Sequence, residues 1–255
     1  MTRPRVPLLL AYSLGYFVIL EAMLAAAILY WPEFEQKSGA IRILMSSFPV
    51  AGELLDLIEQ AGVYGYVAGQ HFFKGCNTLG SAGAILFAAG AIAGEAHRGT
   101  LEILLARPLS RRRILLERYL AGLAAFALPV FATSLTIPAL CAVVGERISY
   151  VSVTLGAVHQ VVFLSVIHGL TFLLSTRGSN PIKIALVVIF GTLFSFALYF
   201  VKYVSSFSPF RLVDFVDFID IDRTHRLDWW VVGPLLALTA VLHVLAQRSF
   251  RGRCP

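Results

Sequence analysis

Six long apolar runs divide this chain, and they leave little sequence for anything other than a bundle of membrane-embedded helices. A helix needs about 20 predominantly apolar residues to cross the hydrocarbon core of a bilayer, and its backbone polar groups must be satisfied internally. We therefore predict an all-α polytopic membrane protein, with residues 1–255 forming a single transmembrane domain. The six predicted spans cover about residues 8–31, 72–94, 114–144, 151–175, 182–203 and 230–247.

Composition excludes an ordinary soluble domain. Apolar residues make up 58% of the sequence and charged residues only 14%, against about 25% charged residues in typical soluble domains. The formal net charge of +6 does not indicate nucleic-acid binding, because the basic residues lie at the ends of apolar runs. Membrane orientation and contact with membrane lipids explain these residues better.

Lysine and arginine are unequally divided between the two sets of loops. The termini, the 94–118 segment and the 176–183 turn hold thirteen cations and three acids, whereas the opposite set holds eight cations and eleven acids. Cytoplasmic loops carry the excess of Lys and Arg. This distribution predicts that both termini and the 94–118 segment are cytoplasmic.

Two segments on the opposite side are long enough to form structure of their own. Residues 33–70 mix acids with aliphatic residues, a pattern that favours a helix lying along the membrane interface. Residues 205–229 combine phenylalanines with acids, and we expect an ordered outer cap over the last two spans. The acids between Asp214 and Asp228 lack the glycine and terminal glutamate of a calcium loop, so no metal site is expected there.

A polar hairpin, Gly94–Arg113, interrupts the apolar sequence between the second and third spans. Thr100 is placed to cap a short helix that Glu102 favours electrostatically, and Pro108 ends that helix. Ser110 is placed to cap the following helix, which becomes the third span. From composition alone, the arginines of the hairpin are also explained as anchors for lipid headgroups. One face of the short helix is apolar and comprises Leu101, Leu104 and Leu105.

The sequence from Ala91 to Ala121 resembles the signature of ABC-2-type permeases, the membrane subunits of ATP-binding-cassette (ABC) transporters. Its features are an acidic residue, then G-T-L-E-x-L-L, then P-x-S-R before an apolar span. The resemblance implies that the hairpin is the coupling element that meets an ATPase subunit. The residues assigned to coupling are Glu95, Arg98, Gly99, Thr100, Leu101, Glu102, Leu105, Pro108, Ser110 and Arg111.

The chain contains no G-x-x-x-x-G-K-[ST] motif. We therefore expect no cofactor on this chain and no enzymatic activity of its own, with ATP and Mg²⁺ bound by a separate ABC ATPase subunit. The resemblance implies two ATPase copies, a second permease copy in a homodimer, export of an unidentified substrate, and a place in the bacterial cytoplasmic (inner) membrane. It also implies an amphipathic helix before the first span, where only Met1 to Pro7 are present.

Glu21 lies within the first span, where a carboxylate is costly enough to indicate function. It is a candidate residue of the translocation path, and the alternative is a hydrogen-bonded group facing another helix. Two other functions stay open at this point. One is an integral membrane enzyme that modifies lipids, and the other is an ATPase-driven assembly scaffold without transport.

Overall fold

The computed structural model describes residues 5–45, 49–201 and 203–253, and these residues form helices, turns and loops without strands. A π-helical segment (Ala68–Gly80) joins α2 to α3, and two 3₁₀ turns (Ser205–Phe207 and Pro209–Val213) precede α9. The α-helices in these ranges are α1 (Arg5–Met45), α2 (Pro49–Val67), α3 (Ser81–Ala89), α4 (Ala93–His97), α5 (Leu101–Leu105), α6 (Arg111–Val143), α7 (Tyr150–Arg177), α8 (Pro181–Tyr199), α9 (Phe215–Thr224) and α10 (Trp229–Arg251).

The predicted all-α class is confirmed. In the described ranges, five helices are long and apolar enough to cross a membrane, namely α1, α6, α7, α8 and α10. The predicted span at 72–94 is divided between the π-helical segment and α3, which ends at Ala89. A count of six spans therefore stays a prediction, which requires the π-helical segment and α3 to cross together.

The first helix does not end where the sequence predicts. Instead of stopping near Trp31, α1 continues through Pro32 to Met45. Aromatic packing supports the extension, because Trp31 and Phe34 lie 5.1 and 4.7 Å from the ring of Tyr66 on α2. Residues 33–45 thus belong to α1, and most of the described remainder of the predicted interfacial segment forms α2, which is kinked at Gly62, where φ is 61°. Whether α2 lies along a membrane interface stays a prediction.

Pairs of helices run parallel, which fixes which ends lie together. Later residues of α1 contact later residues of α6, so these two helices run in the same direction. The same holds for α7 and the segment that runs from the π-helical segment to α4. The hairpin, the start of α6 and the end of α7 therefore lie at one end of the bundle, here called the hairpin end. The contacts are Ser13–Ala125, Glu21–Thr136 and Trp31–Glu146 in the first pair, and Asn77–Gln160, Ala84–His168 and Ile92–Ser175 in the second.

The cap at the other end is ordered, as predicted, but among the described residues it packs chiefly on α8, α7, α2 and the π-helical segment rather than on the last two spans, α8 and α10. Ser208, which lies between the two 3₁₀ turns, donates a hydrogen bond to the Ser195 carbonyl of α8 at 2.6 Å. Phe218 of α9 stacks on Phe72 of the π-helical segment, with ring centroids 4.8 Å apart. Gly156 of α7 admits this stack, because a Cβ there would lie 3.0 Å from the Phe72 ring. The cap therefore packs on α7 and the π-helical segment as well as on α8.

Candidate coupling site

Two five-residue helices and a glycine turn build the hairpin. The chain leaves helical geometry after Ala89, forms α4, and turns at Gly99, whose φ is 66°. A left-handed φ costs a residue with a side chain about 1–2 kcal/mol, and glycine avoids that cost. The Ser110 Oγ accepts a hydrogen bond from the Arg113 backbone N–H at 3.3 Å, which caps the start of α6.

Glu95 is the polar centre of the hairpin. Its side chain is only 7% exposed, and Arg118 of α6 donates to its Oε1 at 2.6 Å. The same guanidinium donates to the Ala91 carbonyl at 2.7 Å, and Arg98 lies 3.7 Å from the other carboxylate oxygen. Thr100 also donates to this carboxylate and does not cap α5 with its side chain, contrary to the sequence prediction. A buried carboxylate thus joins α4 and α6.

Ser175 of α7 attaches the hairpin on its other side. Its buried hydroxyl donates to the Ala89 carbonyl at 2.8 Å and accepts from the backbone N–H groups of Ile92 and Ala93 at 3.1 and 3.0 Å. These are backbone groups that the break between α3 and α4 leaves without helical partners. The Ser175 side chain therefore joins the start of the hairpin to α7 by three hydrogen bonds.

The short helix α5 packs inward through Leu101 and Leu104, which are 5% and 4% exposed. Leu105 is partly buried against the same cluster. The cluster includes Leu115 of α6, Phe172 of α7 and Phe250 of α10. Helix α5 therefore rests on three of the long helices at the hairpin end.

Arg111 and Arg253 tie the chain after α10 to the same end. The Arg111 guanidinium donates to the carbonyls of Phe250, Arg251 and Arg253 at 3.1, 2.9 and 2.8 Å. The Arg253 guanidinium in turn donates to the carbonyls of Thr176 and Gly178 at 2.5 and 2.7 Å, where α7 ends. These bonds satisfy carbonyls left unpaired at two helix ends, and we call them the arginine clamp.

The ten residues predicted to couple to an ATPase divide into two groups. Some are exposed on the outer face of the hairpin, and the others point inward and hold the hairpin to the bundle. Glu21 lies apart from them, half-buried between α1 and α6, where it accepts a hydrogen bond from Thr136 at 3.0 Å. The exposed group is Arg98, Gly99, Glu102, Pro108 and Ser110, and the buried or half-buried group is Glu95, Thr100, Leu101, Leu105 and Arg111.

The family model described as ABC-2 family transporter protein matches residues 17–251. The chain belongs to this family. The match covers the hairpin, all five long apolar helices except the first residues of α1, and the cap. No curated protein matches the chain at a significant level.

Membership in the ABC-2 family confirms the resemblance carried by the hairpin. A protein of this family is the membrane component of an ABC transporter and not itself a catalyst, and the family implies association with an ABC ATPase. The multi-pass membrane character also agrees with the five apolar helices.

Sequence reasoning missed the residues that attach the ABC-2 hairpin to the bundle. Arg118 entered only as a cytoplasmic cation, and Ser175 carried no signal because it is one small residue in an apolar helix. The contact between Glu95 and Arg118 could have been found from the sequence, because an acid precedes the span and a basic residue lies in the second turn of that span. Ile103 was also missed, although it is the most exposed large apolar side chain of the hairpin at 65%.

Proposed function

We propose that this ABC-2 family protein is the permease subunit of an exporter in the bacterial cytoplasmic membrane, moving a substrate that is not yet identified. Two copies of a separate ABC ATPase bind ATP and Mg²⁺ and supply the energy. A second copy of this chain completes the permease as a homodimer. Family membership and the apolar helices support this proposal.

In the proposed orientation, both termini and the hairpin are cytoplasmic. The excess of Arg and Lys over acids at the hairpin end supports it. The π-helical segment and α3 together form the sixth span, because their contacts with α7 advance along most of that helix.

The observation that carries the coupling role is the attachment of the hairpin to two long helices. Glu95 binds Arg118 of α6, and Ser175 of α7 binds the backbone before α4. The opposite face of the hairpin exposes Arg98, Glu102 and Ile103. A partner that moves this face therefore moves both long helices, since packed elements shift as units.

Glu21 is proposed as a residue of the translocation path. It lies within α1, and its contact with Thr136 places it at the seam between α1 and α6. A rearrangement that separates the two helices exposes this carboxylate. An ionisable group at membrane depth is a functional candidate for that reason.

Co-purification with the ATPase subunit tests the coupling role. We expect Glu102→Arg and Ile103→Asp to lose ATPase binding and ATPase stimulation, because both side chains are exposed on the proposed contact face. Leu105→Asp is also expected to lose ATPase binding. Because Leu105 is partly buried, thermal unfolding of this variant must be measured as well, to show that it is still folded.

Glu117→Arg is the matched control, because Glu117 is an exposed acid at the same end that pairs with Arg113 on α6. It should leave ATPase binding unchanged. The coupling assignment is wrong if Glu102→Arg and Ile103→Asp bind and stimulate the ATPase as the wild type does.

A further inference from the structure

A basic cleft lies between the start of α6 and the end of α10. It is a shallow groove with a cavity volume of about 10 Å³, room for about one water molecule, and it contains no acidic residue in its described lining. The lining residues are Arg111, Arg112, Leu115, Gln247, Phe250 and Arg251.

Two guanidiniums of this cleft are available to a ligand. Arg111 is engaged with the carbonyls of the arginine clamp, and so holds the walls of the cleft together. Arg112 and Arg251 are exposed, and neither guanidinium has a hydrogen-bond or ion-pair partner among the described residues. Arg112 and Arg251 are 139 residues apart in the sequence, so it is the fold that brings them to the same cleft.

Exposed aliphatic side chains continue from the cleft along both helices. Leu116 and Leu120 follow Arg112 at helical spacing on α6 and are 40% and 49% exposed. On α10, Val244 and Val241 share a face with Arg251 and are 46% and 52% exposed, and the exposed Arg248 lies on that face between Val244 and Arg251. Positions separated by three, four or seven residues share a helix face. The cleft therefore combines cationic groups with an apolar track leading toward the middle of the spans.

We propose that this cleft binds the phosphate headgroup of an anionic phospholipid, with its acyl chains along the exposed faces of α6 and α10. Arginine pairs with phosphate through charge-assisted, often bidentate hydrogen bonds. Basic pockets between transmembrane helices near the membrane surface suit such headgroups. A free phosphate satisfies the arginines but leaves the apolar track uncovered. This site does not depend on ATPase binding.

The test measures the apparent affinity of the purified full-length protein for phosphatidylglycerol in detergent, from the rise in unfolding temperature with lipid concentration. Arg112→Gln/Arg251→Gln should bind about 30-fold more weakly, since each arginine near an anionic surface contributes about a factor of five. Gln247→Glu should also weaken binding, because it places a negative charge in the cleft with both arginines intact.

Arg113→Gln/Arg177→Gln is the matched control, because these two exposed arginines belong to the same end but not to the cleft. It should bind phosphatidylglycerol as the wild type does, and phosphatidylcholine and inorganic phosphate should give little stabilisation. Equal losses in both double variants, or unchanged binding in the cleft variants, overturn the site. Equal stabilisation by inorganic phosphate overturns the lipid as its ligand. ATPase co-purification is a separate measurement, so the two proposals fail independently.

Discussion

At the scale of single residues, Asp217 in the cap has the most informative environment. Its carboxylate accepts a hydrogen bond from the Asp214 backbone N–H at 2.9 Å and completes a capping box at the start of α9. The pKa of Asp217 is raised to about 6, chiefly by burial and also by the charges of Asp214, Asp220 and Asp228, while that hydrogen bond lowers it. His159 of α7 also faces it, with Nε2 4.0 Å from the carboxylate.

This environment predicts that the cap is more stable in mild acid. Because the folded-state pKa of about 6 exceeds the ordinary value of 3.8, the stabilising contribution is complete below about 3.8 and is lost as pH rises through 6. Allowing for the 33% exposure of the side chain, we expect the free energy of unfolding of the cap to be about 1 kcal/mol higher at pH 5 than at pH 7.5. Hydrogen exchange of the α9 amides at the two pH values measures it. Asp217→Asn should remove this pH-dependent difference in stability. If the difference persists in that variant, it arises from another group, such as His159.

At the scale of elements, the bond between α4 and α6 is the link that can be broken most selectively. Glu95→Gln leaves Arg118 with little counter-charge, and we expect the free energy of unfolding to fall by about 3 kcal/mol. This value is at the lower end for a buried ion pair, because Arg118 is 21% exposed. Adding Arg118→Gln should recover part of that loss, because no unpaired charge remains. ATPase stimulation should stay low in both variants, since the link itself is absent.

Thermal or denaturant unfolding of the two variants measures these differences. Arg113→Gln, which breaks the exposed Arg113–Glu117 pair, is the control and should cost less than about 1 kcal/mol. An equal loss in the control would show that Glu95–Arg118 is no stronger than a surface pair.

Elements bounded by local signals were predictable from the sequence, and those held by distant contacts were not. Ser110 and Asp228 begin α6 and α10 with their own side chains, so the predicted starts at 114 and 230 fall close to Arg111 and Trp229. The extension of α1 depends on Tyr66, which lies on another helix. In the candidate site, Ser110 is likewise local, whereas Arg118 and Ser175 act on the hairpin from 23 and 86 residues away.

At the scale of the whole molecule, the parallel helix pairs place the hairpin and the cap at opposite ends, and the orientation proposal predicts which one is cytoplasmic. In a Cys254→Ser background, Arg98→Cys should react with an impermeant maleimide only after the membrane is opened. Asp220→Cys on α9 should react in intact cells. Cys76 and Cys141 are buried and should contribute little background. Labelling of Arg98→Cys in intact cells would reverse the proposed orientation.

The arginine clamp also bears on the order in which the protein assembles during synthesis. Arg111 receives its partners from carbonyls 139–142 residues later in the chain. At ribosomal rates of about 5–20 residues per second, that delay is on the order of 10 s. During this interval α6 is already made while its first turn still lacks these partners. The hairpin end is therefore the last part of the bundle to close, and a nascent chain stalled before residue 250 leaves it open to whichever chaperone or ATPase arrives first.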